Sequence, residues 1–141
     1  MKLYIFALLV LLFSKCSLEG EYNLGAGYFL FGDKANTVIA KETKGKIAVY
    51  SEVIEGEIRQ YNFNKNYIIA ERRISENART YFGSHPLWNE QKGNGDTIQF
   101  WIIDKSTDSL IGPMDWQKYV ETRTLLQLPA ELKFRSEDAT Q

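Results

Sequence analysis

The sequence predicts a mainly β domain of the α+β kind: a curved antiparallel sheet or partly open barrel with one C-terminal helix packed on it. Three observations carry that expectation. Aromatic residues make up 13% of the chain, and many fall in short runs that alternate apolar and polar side chains. Turn-forming Gly, Asn and Asp residues separate those runs. Only one later segment repeats its apolar residues at helical spacing.

The first sixteen residues stand apart from this pattern. Met1-Lys2 precede eleven apolar residues, Leu3 to Phe13, and Ser14-Lys15-Cys16 follow. A charged start, a short apolar core and a processing point are the parts of a secretory signal. As a helix the run reaches only about 17 Å, whereas a bilayer core is about 30 Å thick. It is too short to span. Cys16 is the sole cysteine, and its position is that of the lipid-carrying first residue of a bacterial lipoprotein. Ser14 and Phe13 suit such a lipobox; Lys15 departs from its small residue at the last position. Ordinary signal peptidase could instead cut after Cys16. Lipidation is favoured, because an exported thiol has no other evident use here.

The expected organisation is therefore a signal peptide over 1–16, one β-rich domain over 17–134, and a flexible tail over 135–141. Cleavage before Cys16 leaves 126 residues with 15 basic and 18 acidic side chains, a net charge of −3. A chain of that size buries roughly two thirds of its unfolded surface without disulfides or metal. It has no basic block, which argues against nucleic acid and against a polybasic membrane-surface helix.

Within the domain, Gly27 to Phe31 reads as a strand ended by Gly32-Asp33. Thr37 to Lys41 and Lys46 to Glu52 read as a hairpin joined through Lys44-Gly45. Glu57 to Phe63 is expected to place Arg59, Tyr61 and Phe63 on one face, with Ile58 and Gln60 on the other. Asn64-Lys65-Asn66 is a tight turn, since Asn tolerates the left-handed conformation, and Tyr67 to Arg72 returns. Ile98 to Ile103 is the most apolar strand and the expected sheet centre. Asp104 to Asp108 turns the chain into a short strand, Ser109 to Gly112, which Pro113-Met114-Asp115 stop. Asp115 caps a helix bearing Trp116, Tyr119, Val120, Arg123 and Leu126 as a stripe, ended by Pro129. Leu132-Lys133-Phe134 reads as a last extended segment. The total is six or seven strands and one late helix.

Trp101-Ile102-Ile103-Asp104-Lys105, then Gly112-Pro113 and a helix carrying an aromatic, resembles a set of small bacterial lipoproteins with a WIID-K strand, a GP turn and a following helix. Asn62 to Ala70 resembles their earlier hairpin, so the likeness covers residues 57–128. It implies an envelope lipoprotein of unknown function. No catalytic or binding residue is carried over, because the set has no established activity.

Residues suited to chemistry are few. His85 is the sole histidine, and Ser84 beside it diverges on an extended loop, whereas a nucleophile and its base must meet within about 3 Å. Zinc would need three or four N or S ligands. Asp104, Ser106, Asp108 and Asp115 have a calcium-loop rhythm but lack the glycine and the long acid such a loop uses. Glu52, Glu55 and Glu57 read as a solvated edge that resists aggregation, and Glu71-Arg72-Arg73 as alternating surface charge. No catalytic, metal or cofactor site is expected. Ser75 to Thr97 holds Tyr81, Phe82, His85 and Trp88. It folds as a lid over the sheet or, if any segment contacts a partner, is the segment to do so.

The expected function is that of a lipid-anchored, non-catalytic envelope module binding a partner protein or small ligand. It would be held at an inner or outer membrane through Cys16. The alternatives are a small carboxylate-based hydrolase of envelope glycans, or an immunity or inhibitor protein.

Overall fold

In the computed structural model, which describes residues 21–32, 37–44, 49–73 and 98–135, the alternating runs form eight strands. They are β1 (Tyr22–Gly25), β2 (Tyr28–Phe31), β3 (Val38–Thr43), β4 (Val49–Ile54), β5 (Ile58–Phe63), β6 (Tyr67–Arg73), β7 (Ile98–Asp104) and β8 (Ser109–Met114), followed by helix α1 (Trp116–Leu125). Every pairing is between sequence neighbours and antiparallel, giving one sheet β1-β2-β3-β4 and a second β5-β6-β7-β8. The fold is mainly β with a single C-terminal helix packed on it, and the sheets do not close into a barrel.

Two apolar clusters show how the layers stack. Leu24, Tyr28, Ile39 and Ile54 of the first sheet meet Ile58, Ile68, Ala70, Trp101 and Ile103 of the second. On the far side of the second sheet, Ile69, Phe100, Ile102 and Met114 pack under Tyr119, Leu132 and Phe134. The second sheet is thus covered on both faces, which is why β7 reads as a nearly continuous apolar run. Its expected central place is correct for that sheet.

One strand was not legible in the sequence. β1 is four residues long and only Leu24 in it is buried, so it offers no alternation to detect. Its turn into β2 runs through Gly25, Ala26 and Gly27, all with positive φ. The second glycine-like position is filled by Ala26 at φ 53, a conformation that costs an L-residue energy.

The faces of β5 correct the expected alternation. Its pairing with β6 shifts between Ile58 and Gln60, and this bulge, one extra residue on one strand, rotates what precedes it. Ile58 therefore shares the inter-sheet core with Tyr61 and Phe63, and Arg59 is left exposed.

Three further expectations change. Glu52 is exposed, but Glu55 and Glu57 are buried at 0% and 2% exposure where the chain passes from one sheet to the other. The corner is closed by Ile58 N–H on the Thr37 carbonyl and Arg73 N–H on the Glu57 carbonyl, both 3.0 Å. Likewise Glu71 and Arg72 are buried and only Arg73 is on the surface. Finally, β8 runs on through Pro113 to Met114; as the outer strand of its sheet it tolerates proline's missing donor.

The helix starts as expected, with the Asp115 carboxylate accepting the Lys118 N–H at 2.7 Å. It ends before Pro129, where Gln127 takes a positive φ of 52° and Leu128 N–H bonds the Arg123 carbonyl at 3.0 Å. The stripe is narrower than its spacing suggests. Tyr119 is fully buried, whereas Trp116 and Val120 are exposed at 47% and 42%. Leu132 and Phe134 are buried without forming a strand. Among the described residues, no helix is long and apolar enough to cross a membrane.

Candidate functional site

The open edge of β5 borders a groove of about 410 Å³. That volume lies in the range of small-molecule sites. Arg59, Tyr61 and Phe63 line it from β5, with Gln60 and Asn62 between them. Tyr22 closes one side from β1, and Lys133 and Arg135 reach it from the C-terminal segment. Among the described residues the lining thus carries three cations and three aromatic rings, and no carboxylate.

Local structure explains each position. Tyr22 lies beside Tyr61 and Phe63, with ring centres 6.2 and 6.0 Å apart, which fixes the aromatic wall. Asn62 donates to the Lys133 carbonyl at 2.9 Å and so pins the C-terminal segment to the strand. Leu132 and Phe134 sink into the core, while Lys133 and Arg135 reach the groove. Arg59 forms an ion pair with the buried Glu57 carboxylate. Burial, reinforced by Tyr22, raises the Tyr61 hydroxyl above its ordinary pKa, and the Arg135 guanidinium opposes that shift.

Residues 25–138 match the family model described as "Protein of unknown function (DUF3997)". The chain belongs to that family. No curated protein and no solved structure matches it. The DUF3997 match spans β2 to β8, α1 and the cationic residues of the groove, and takes in only Gly25 of β1.

Within this DUF3997 chain the WIID-K and GP residues build the scaffold. Trp101 is 1% exposed in the inter-sheet core. Gly112 lies against it, where a Cβ would come 2.6 Å from the indole Cε3 and 2.9 Å from the Phe100 carbonyl oxygen. Lys105 is buried, and its ammonium bonds the Leu24 carbonyl and, at 2.6 Å, the Asn64 carbonyl. It therefore ties β1 to the β5–β6 turn across the two sheets. Removal from water lowers its pKa.

The calcium-like residues have structural work as well. The Asp104 carboxylate accepts from the Ser106 amide at 2.9 Å and its hydroxyl at 2.6 Å, closing the turn. Asp108 pairs with Lys41 and accepts from the Tyr28 hydroxyl at 3.1 Å. Asp115 caps α1. Among the described residues no three His, Cys, Asp or Glu side chains converge as a metal site would require.

The Tyr28–Asp108 bond makes an alkaline test possible. Burial first, and then the Asp108 charge, push the Tyr28 hydroxyl from 10.0 to about 12. Between those values the unfolded chain ionises Tyr28 while the folded chain keeps it neutral, so its contribution is lost as pH rises from 10 to 12. Tyr28→Phe should be less stable than wild type below pH 10, and the gap should close by pH 12. Urea midpoints at matched pH read that difference and cancel the other titrating groups.

The first sheet presents a second aromatic surface. Phe29, Phe31 and Tyr50 pack mutually, with ring centres 4.8 to 6.0 Å apart. Ala40, which pairs with Phe29, is buried. These rings pack on one another, and the charged groups beside Tyr50 are carboxylates: Glu21, which accepts from its hydroxyl at 3.4 Å, and Glu42. Cys16 and the expected partner contacts Tyr81, Phe82, His85 and Trp88 lie outside the described residues. The groove itself was missed in the sequence. The available signal was Lys133 and Arg135 flanking a buried aromatic, together with Arg59 and Tyr61 at alternate positions.

Proposed function

We propose that this protein is an exported, lipid-anchored module of the cell envelope that binds a small ligand and performs no catalysis. The anchoring half rests on the order of charge, apolar run and Cys16 at the N-terminus. The binding half rests on one observation: among the described residues, the groove at the β5 edge is lined by Arg59, Lys133, Arg135 and three aromatic rings, with no acid. Such a lining suits an anion that also carries an apolar part.

Glycan hydrolysis would need two carboxylates roughly 5–10 Å apart across a cleft. Among the described residues the groove supplies none. Of the nearby acids, Glu57 holds Arg59 and Glu71 accepts from Gln60 at 2.9 Å. Binding is therefore the better-supported reading.

Metabolic palmitate labelling tests the anchor. Wild-type protein should take up label and partition with membranes, and Cys16→Ala should lose both. Label that survives Cys16→Ala, or a mature chain beginning at unmodified Ser17, would contradict lipid anchoring at this residue.

A further inference from the structure

We infer that β1 is a strap that opens from the rest of the domain as a unit, carrying Tyr22 off the β5 groove, and that the Lys105 ammonium is its latch. This deepens the binding role proposed above and rests on it for its purpose: the aromatic wall of the groove is complete only while the strap is closed.

Among the described residues β1 is weakly held. It is an edge strand of four residues that pairs with β2 alone, and its register is interrupted between Asn23 and Gly25. Leu24 is its single buried side chain. The Gly25 amide donates within the strand, to the Asn23 side-chain oxygen at 2.7 Å. Glu21, just before it, accepts from the Tyr50 hydroxyl at 3.4 Å on the exposed surface. So few buried contacts place a segment at the low end of local stability.

The connection to β2 supplies a pivot. Gly25, Ala26 and Gly27 all have positive φ. Two of them are glycines, which move between backbone regions at small cost. Ala26 is held at φ 53, and opening relieves the strain that this places on an L-residue.

One buried cation closes the device. The Lys105 ammonium bonds the Leu24 carbonyl and, at 2.6 Å, the Asn64 carbonyl in the β5–β6 turn. It lies 5.1 Å from the centre of the Phe63 ring. Gly25 leaves room for it, since a Cβ there would come 3.2 Å from Nζ. These partners are carbonyls and a ring rather than a carboxylate, so they repay only part of the cost of taking a charge out of water. Such a balance suits a latch. The bonds hold β1 closed, and release returns the ammonium to water.

The movement reaches the groove through strand geometry. Tyr22 and Leu24 are two residues apart and share a face. Tyr22 meets Tyr61 and Phe63 with ring centres 6.2 and 6.0 Å apart, yet it is 53% exposed. When Leu24 leaves the core, Tyr22 leaves with it, and the wall loses its member from the first sheet.

Amide hydrogen exchange of the full protein in neutral micelles, followed by NMR at pH 7, tests the strap. Amides of residues 22–25 should be protected about a hundredfold less than those at the centres of β6 and β7. Two variants separate local from global opening. Lys105→Gln should speed β1 exchange by about tenfold, because bonds from a charged donor are lost. Met114→Ala, in the far-side cluster, should speed β6 and β7 and leave β1 unchanged. Were β1 to open only on global unfolding, Met114→Ala would accelerate it equally; that result overturns the strap, whether or not Lys105→Gln folds. A β1 rate indifferent to Lys105→Gln overturns the latch. Hexyl phosphate then reads the link to the groove. A ligand that needs the closed wall should slow β1 in proportion to its occupancy, whereas slowing of β6 and β7 alone overturns that link. Slowing of neither set contradicts binding at the groove, while the ligand-free rates decide the strap, so the two failures are distinct.

Discussion

Gly112→Ala should destabilise the folded protein by about 3–5 kcal/mol, the sum of an overpacked core and a strained backbone. The added methyl would lie 2.6 Å from the Trp101 ring and 2.9 Å from the Phe100 carbonyl, closer than real side chains approach. Neither neighbour can yield cheaply. Trp101 is wedged in the inter-sheet core at 1% exposure, and the carbonyl belongs to β7, which is paired on both sides. The backbone adds its own penalty, because Gly112 has a φ of 142°, a region glycine alone enters freely. Gly27→Ala provides the comparison. Its φ is 80° but its nearest prospective neighbour is 3.9 Å away, so only the conformational part, about 1 kcal/mol, should be lost. Chemical denaturation of both variants checks the contrast. Equal midpoints would show that contact with Trp101 does not constrain this position.

A comparably large effect is expected at Arg72. The residue is 0% exposed, and its guanidinium donates to the Gln99 side chain at 3.4 Å. Burial pulls its pKa down to about 10, and the neighbouring Glu55 carboxylate holds it up against that pull. Arg72 thus remains a cation at neutral pH and balances a buried acid. Arg72→Met keeps much of the volume and removes the charge, leaving Glu55 in a poorly solvated place. The cost of such an orphaned charge is about 3–5 kcal/mol. Adding Glu55→Gln should recover part of that loss, since the remaining side chain is neutral. A double variant no more stable than Arg72→Met would show that the two charges are not coupled. Urea unfolding at pH 7 reads all three proteins.

These two sites also show which parts of the structure the sequence could disclose. Strand positions from β2 to β8 follow from alternation and turn chemistry, and Asp115 announces α1, because those signals are local. The burial of Glu55, Glu57, Glu71 and Arg72 is not local. It arises where the chain crosses between sheets, and an alternating charged run looks the same on a solvated edge. The β5 bulge had the same effect on a smaller scale, since one extra residue inverts the faces on one side of it. The groove was illegible for a related reason. Its cations lie some seventy residues apart in the chain, Arg59 on β5 and Lys133 and Arg135 after α1. They meet only because Asn62 binds the C-terminal backbone and Phe134 anchors it in the core.

The WIID-K and GP residues take a structural meaning from this. In the folded chain Trp101, Lys105 and Gly112 lie where the two sheets meet, and the proposed ligand surface lies at the β5 edge.

Chemical-shift mapping tests that division of labour most directly. Backbone amides of the full protein in neutral micelles would be followed during addition of hexyl phosphate, an anion with an apolar tail. Residues 59–63 and 133–135, with Tyr22, should move in a saturable way, while Trp101 to Lys105 and Gly112 stay fixed. Shifts centred on the Trp101–Lys105 turn, or on Phe29, Phe31 and Tyr50, would contradict a binding site at the β5 edge.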